Sequence, residues 1–162
     1  MKLQILIKPI YVTFFSFLLC GCMPDAKKVT PSGVVVINVL EKKLYDDCHI
    51  QGSVSVPFEG LEQYVQQNLD KNTEIVLYCS NYMCSASGQG CKRLKRLGFD
   101  KVYAYEGGTA EWYQHQLPVE GPCTAGYLKV QLAPPDHSQE HDVAVMSMQE
   151  LARKLHLNVE NI

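Results

Sequence analysis

Two runs restrict the possible folds more than anything else in this chain: G33-V-V-V-I-N-V39 and E74-I-V-L-Y-C79. Both are apolar almost without interruption, so neither has alternate positions to offer to water. Such strands are buried on both faces, the condition of a parallel sheet covered by helices. The intervening segments predict those helices. Leu61, Tyr64, Val65 and Leu69 recur at helical spacing, with Gln and Glu between them. Beyond the second run, Gly90, Cys91, Leu94 and Leu97 share one helix face. Lys92, Arg93, Lys95 and Arg96 take the other, and Gly98 caps the end. K101-V-Y-A-Y105 reads as a third strand, and G107-G-T-A-E-W-Y-Q-H115 as a turn into a helix with Thr109 as N-cap. E41-K-K-L-Y45 predicts a helical turn, and H49-I-Q-G-S-V-S-V-P57 a turn followed by a short strand closed by proline. This alternation predicts an α/β fold with a mainly parallel sheet and right-handed crossovers. Sites in such sheets form beyond the carboxyl ends of strands, which is where Cys79 stands.

The ends of the chain read differently. M1 to C22 has a positive start (Lys2, Lys8), an uncharged run from Ile10 to Leu19 too short for a comfortable membrane span, and the close L19-C-G-C22. The close resembles the bacterial lipobox, with Gly21 before the cut and Cys22 as the lipidated residue. The expected organisation is therefore a lipoprotein signal peptide over 1–21 and a tether over 22–32 with Pro24 and Pro31. A domain over 33–121 and a C-terminal extension over 122–162 follow. The protein would hang by acyl chains from a bacterial membrane, its body on the extracytoplasmic, oxidising side. In the extension, Y127-L-K-V-Q-L132 reads as an added strand and 133–142 as a polar linker. S147-M-Q-E-L-A-R-K-L-H156 reads as a short helix with a capping box, and the extension is a candidate surface for a protein partner. The net charge of −2 leaves no basic face for nucleic acid.

The stretch I75-V-L-Y-C-S-N-Y-M-C-S-A-S87 carries the chemistry. A strand ending at Cys79, a tight loop and a helix starting near Ser85 can converge amide N–H groups and a helix terminus on one sulfur. That arrangement predicts an acidic Cys79 and a cradle suited to a persulfide, with Ser80, Asn81 and Ser85 as further donors.

These residues resemble the rhodanese-like sulfurtransferases. The likeness runs through I-N-V39, H49-I-Q-G-S-V-S-V-P57, I75-V-L-Y-C79, R96-L-G-F99, V102-Y-A-Y-E-G-G-T-A-E-W112 and L117-P-V119. It implies a five-stranded parallel sheet flanked by helices. It also implies a cysteine, here Cys79, that takes sulfane sulfur from a small donor such as thiosulfate and passes it to a thiol acceptor, without cofactor or metal. Ser80, Asn81, Tyr82, Met83 and Ser85 would form the substrate loop with Cys84, and Glu106, Gly107 and Gly108 the pocket mouth. Many active members carry an arginine near the loop's end. Met83, Cys84 and Ser85 stand there instead, and Lys92 and Arg93 lie turns away, which argues against thiosulfate as the preferred donor. Asn38 replaces the usual aspartate after the first strand, and Ser85 stands where the related cysteine phosphatases need arginine, which argues against phosphatase chemistry.

The second thiol leaves alternatives open. Cys84 is either a resolving thiol for Cys79 or a small residue packed at the helix start. The chain is accordingly a sulfurtransferase, a dithiol redox protein using Cys79 and Cys84, or a binding module that kept the fold. Cys91 reads as core. Cys48 and Cys123 flank the domain's loops, and spacing does not decide whether they pair. His137 and His141 stand four apart in a polar, proline-flanked stretch and read as solvated linker.

Overall fold

The computed structural model describes residues 33–135 and 143–158. Seven strands and five helices follow in chain order among them: β1 (Val34–Asn38), α1 (Lys42–Asp47), β2 (His49–Ile50), β3 (Val54–Ser55), α2 (Leu61–Asn68), β4 (Glu74–Tyr78), α3 (Ala86–Arg96), β5 (Val102–Tyr105), α4 (Gly108–Gln114), β6 (Val119–Glu120), β7 (Ala144–Val145) and α5 (Met148–Lys154). The main sheet has five strands in the order β3-β1-β4-β5-β7, all parallel. The two apolar runs lie side by side at its centre as β1 and β4, with Val35 opposite Ile75 and Ile37 opposite Leu77.

Alternation of side chains explains why these runs are continuous. Val35, Ile37, Ile75 and Leu77 point to one face, where Leu61, Val65, Cys91 and Leu94 of α2 and α3 cover them. Val34, Val36, Val76 and Tyr78 point to the other, covered by Trp112 of α4 and Met148, Leu151 and Ala152 of α5. The Tyr78 hydroxyl accepts the Ile50 N–H at 3.1 Å and shares a 2.8 Å hydrogen bond with Ser53 Oγ, so the polar tip of this buried tyrosine is satisfied. Asn38, wholly buried, accepts the Leu40 N–H at 2.9 Å and buries no charge there. Cys91 is core, its thiol pushed up to about 12 by burial. Trp112 packs edge-on against Tyr105 and donates Nε1–H to the Pro118 carbonyl at 3.0 Å. His49 stacks on Tyr45 and bonds to its carbonyl at 2.8 Å.

The extension does more than its sequence announces. The expected strand over 127–132 is instead a 3-10 turn, Gly126–Lys129. Gln114 Nε2 donates to the carbonyls of Leu128 and Val130, each at 3.0 Å, and Leu128 is buried, so side-chain capture replaces strand pairing. The fifth strand comes from Ala144–Val145, which pairs with β5. Met146 fills the core beside it, and Ser147 caps α5 by accepting the Glu150 N–H at 3.2 Å. Lys154 closes the packing with an ion pair to Glu74 at 2.8 Å. Cys48 and Cys123 form a disulfide. The segment ending in Cys22, and His137 with His141, lie outside the described residues, among which no helix is long and apolar enough to cross a membrane.

Candidate active site

The chain leaves β4 at Tyr78, in the centre of the sheet, and the next residue, Cys79, is 0% exposed. Its carbonyl accepts the Thr109 N–H at 3.0 Å and the Thr109 hydroxyl at 3.3 Å, and the Ser80 carbonyl accepts the Ala110 N–H at 2.9 Å. Thr109, expected as an N-cap, thus lies inside α4, where it stitches the start of the loop to the helix. Gly108 permits the approach. Its φ is +61°, and a Cβ there would stand 2.5 Å from the Cys79 carbonyl oxygen. Gly108→Ala should therefore cost roughly 2–4 kcal/mol, combining left-handed strain with a backbone clash. A urea titration reads this directly, and an unchanged midpoint would contradict the stitch.

The loop turns on Asn81. Its side-chain oxygen accepts the Met83 N–H at 3.1 Å and its carbonyl accepts the Cys84 N–H at 3.0 Å, which folds Cys84 back over Cys79. Glu111 of α4 anchors the outer side: Tyr82 OH donates to Oε1 at 2.7 Å and Tyr105 OH to Oε2 at 2.8 Å. Burial, and then the Glu111 carboxylate, push the Tyr82 phenol above its ordinary range, so it remains a donor.

The amide cradle exists, but it encloses the other sulfur. The Cys79 thiol points at the Cys84 carbonyl at 3.1 Å and the Asn81 carbonyl at 3.9 Å, with Ser87 Oγ at 3.7 Å. Its hydrogen bond to the Cys84 sulfur, then burial, hold it protonated, against the pull of Ser87. Cys84 is the acceptor in that contact. The Cys79 thiol, helped by the N–H groups of Ala86 and Ser80 and the Ser80 hydroxyl, outweighs burial and brings Cys84 down to about 5. The Asn81 turn thus aims two carbonyls at the Cys79 sulfur, opposed by the Ser87 N–H and hydroxyl, in place of the wholly donating cradle expected there. Alkylation should accordingly modify Cys84 first. Its rate should be flat near neutrality and fall as pH drops through about 5, where the thiolate is lost. A rate that rises only through the ordinary thiol range would contradict the cradle.

Cys84 is half-buried and lines a cavity of about 290 Å³ with Tyr82, Met83, Ser85 and Glu106 from the expected set. Ser87, Lys92, Val143 and Val145 complete much of the wall. Cys79 lies behind Cys84. Ser80 and Asn81 act within the loop, Gly108 lies under Cys79, and Gly107 borders neighbouring cavities with Tyr82 and Glu111. Met83 is 81% exposed at the rim. Spacing alone puts Lys92 turns away, yet it shares the helix side that borders Cys84. Ser87, Glu111 and the extension's valines are absent from the sequence-based set. Glu111 lies in the motif G-G-T-A-E-W112, but nothing in its spacing points to Tyr82. Among the described residues no three His, Cys, Asp or Glu side chains are grouped to hold a metal.

The Rhodanese-like domain family model matches residues 24–115. The chain is similar to the thiosulfate sulfurtransferase GlpE of Shewanella oneidensis, with 26% identity over 92 residues, 57% of this chain and 83% of that protein. Among solved structures, the BH2092 protein of Bacillus halodurans superposes with a TM-score of 0.52 at 27% identity, over 56% of this chain and 66% of that one, just under two thirds of its length. The rhodanese-like domain of the Alr3790 protein of Anabaena sp. gives 0.52 at 25% identity, over 67% and 84%. Taken with the parallel sheet and the strand–loop–helix that carries both thiols, the match over residues 24–115 places this chain in the rhodanese-like domain family.

Proposed function

We propose that the domain is a sulfurtransferase that carries sulfane sulfur as a persulfide on Cys79, between a small donor and a thiol acceptor. The observation that carries this reading is the loop after β4, where the Cys79 thiol lies against the Cys84 carbonyl at 3.1 Å and the Cys84 side chain lines the cavity. As Cys79 attacks the donor's outer sulfur, its proton passes to Cys84 and the donor's sulfur–sulfur bond breaks. The remainder leaves as an anion (sulfite if the donor is thiosulfate). An acceptor thiolate then attacks the outer sulfur, and the Cys79 thiolate recovers its proton from Cys84. Lys92 supplies the cavity's positive charge for an anionic donor in place of the absent arginine. The name of the Shewanella relative supports the reaction class.

The same contact favours a second reading, a dithiol redox protein that closes a Cys79–Cys84 disulfide without handling sulfur. We also place the chain in the bacterial envelope, lipidated at Cys22, on the strength of the L19-C-G-C22 pattern. A protein acceptor docking on the extension would sit beside Cys84, because Val143 and Val145 wall its cavity. Rapid acid quench of a single turnover with a sulfane donor tests the main reading. One sulfur atom should appear on the peptide bearing Cys79. Sulfur found only on Cys84, or a disulfide formed with no sulfur uptake at any time, would overturn it.

A further inference from the structure

A persulfide carrier needs one thiol, and the loop after β4 holds two, five residues apart. Cys84 lines the cavity, half-buried. Cys79 lies behind it in the same loop, wholly buried, its thiol against the Cys84 carbonyl at 3.1 Å. Sulfur added to Cys79 leaves the cysteine's own Sγ as the inner atom of the persulfide. That inner atom already touches Cys84. The third free thiol, Cys91, is buried in the core under α3 and does not line the cavity. Cys84 is therefore the one thiol among the described residues placed to compete with an external acceptor, and it competes at a different atom. An acceptor entering through the cavity meets the outer sulfur. Cys84 meets the inner one.

We propose that Cys84 resolves the Cys79 persulfide within the chain, so that the domain reduces sulfane sulfur to sulfide and is left with a Cys79–Cys84 disulfide. This rests on the persulfide reading above. In the resolving step the Cys84 thiolate attacks Cys79 Sγ. The Sγ–Sγ bond forms, the bond from Cys79 Sγ to the outer sulfur breaks, and the electron pair leaves with the outer sulfur as hydrosulfide. The proton is the one Cys84 accepted during persulfide formation, returned to the outer sulfur before attack. Sulfane sulfur gains two electrons and each cysteine sulfur gives up one. An external thiol, either small or a protein dithiol, reopens the cycle by attacking the Cys84 sulfur at the cavity. A second thiol then resolves that mixed disulfide. Hydrosulfide is a weakly basic leaving group, and attack by a sulfur held in the same loop needs no encounter. The donors around Cys84 keep it ionised near neutrality, as the step requires.

The test uses the full-length chain with Cys79, Cys84 and Cys91 reduced, free of added thiol, and given one equivalent of thiosulfate or inorganic polysulfide against donor-only blanks. The wild type should release one sulfide per chain, lose two hydrogens in intact mass and yield a cross-linked 79–84 peptide. Cys84→Ser should release sulfide at least about tenfold more slowly and retain the added sulfur on Cys79. Cys84→Ala should behave alike, which removes any special effect of serine. Sulfide released from both variants at the wild-type rate, or a persulfide that persists in the wild type, overturns the inference while the sulfurtransferase reading stands. Absence of sulfur on Cys79 in all three proteins overturns both.

Discussion

If Cys79 carries the persulfide as proposed, Cys79→Ser should lose sulfur transfer to cyanide by at least about a thousandfold, because a serine hydroxyl does not replace an attacking sulfur. The fold should survive. Serine is smaller, and its hydroxyl can donate to the Cys84 carbonyl as the thiol does at 3.1 Å, so the stability cost should stay near about 1 kcal/mol. Rapid alkylation of Cys84 in the variant would show the loop intact, since the Ser80 and Ala86 donors to its sulfur remain. Cys84→Ser should behave differently. On the proposed mechanism it removes a proton acceptor and leaves the nucleophile, so persulfide formation should slow by about ten- to a hundredfold without vanishing. Thiocyanate formation measured for both variants decides the assignment. If Cys84→Ser is dead and Cys79→Ser active, the cavity-facing sulfur is the nucleophile and the two thiols exchange roles.

The sheet was legible because burial leaves a strong mark on composition. Two runs without a polar alternate position can only be central strands, and β1 and β4 are the central pair with α2 and α3 on one side and α4 and α5 on the other. The position of the loop was legible for the same reason, as it follows the run that ends in Tyr78. Which sulfur the loop serves was not. That depends on the direction of individual peptide planes, and the side chain of Asn81 sets it by capturing the Met83 N–H. Periodicity carries no signal for a peptide orientation. β7 escaped for a different reason. With two residues it is too short to show a period, and its pairing with Tyr103 and Ala104 depends on Met146 and Leu151 filling the core beyond it. The turn at Gly126–Lys129 looked like a strand because Tyr127 and Leu128 are apolar, while the Gln114 amide that takes its carbonyls is distant in sequence.

Replacing Cys48 and Cys123 together by alanine should cost about 4 kcal/mol of stability, the second large effect expected. The bond joins residues 75 apart, and closing a loop of that length removes about that much entropy from the unfolded chain. Its surroundings show that the folded geometry suits the link. The Cys123 N–H donates to the Asp47 carbonyl at 2.7 Å, and the Asp47 carboxylate accepts the Thr124 hydroxyl at 2.5 Å and the Ala125 N–H at 2.9 Å. Those donors, Thr124 foremost, hold the Asp47 carboxyl below its ordinary value. Its contribution is therefore present above that value and fades as pH falls through the acid range, whereas the covalent link persists. The variant should consequently lose further stability in acid with only the core to hold the extension. Urea midpoints for wild type and the double variant, at neutral and acid pH, measure both effects, and equal midpoints at neutral pH would show that the link does nothing for the fold.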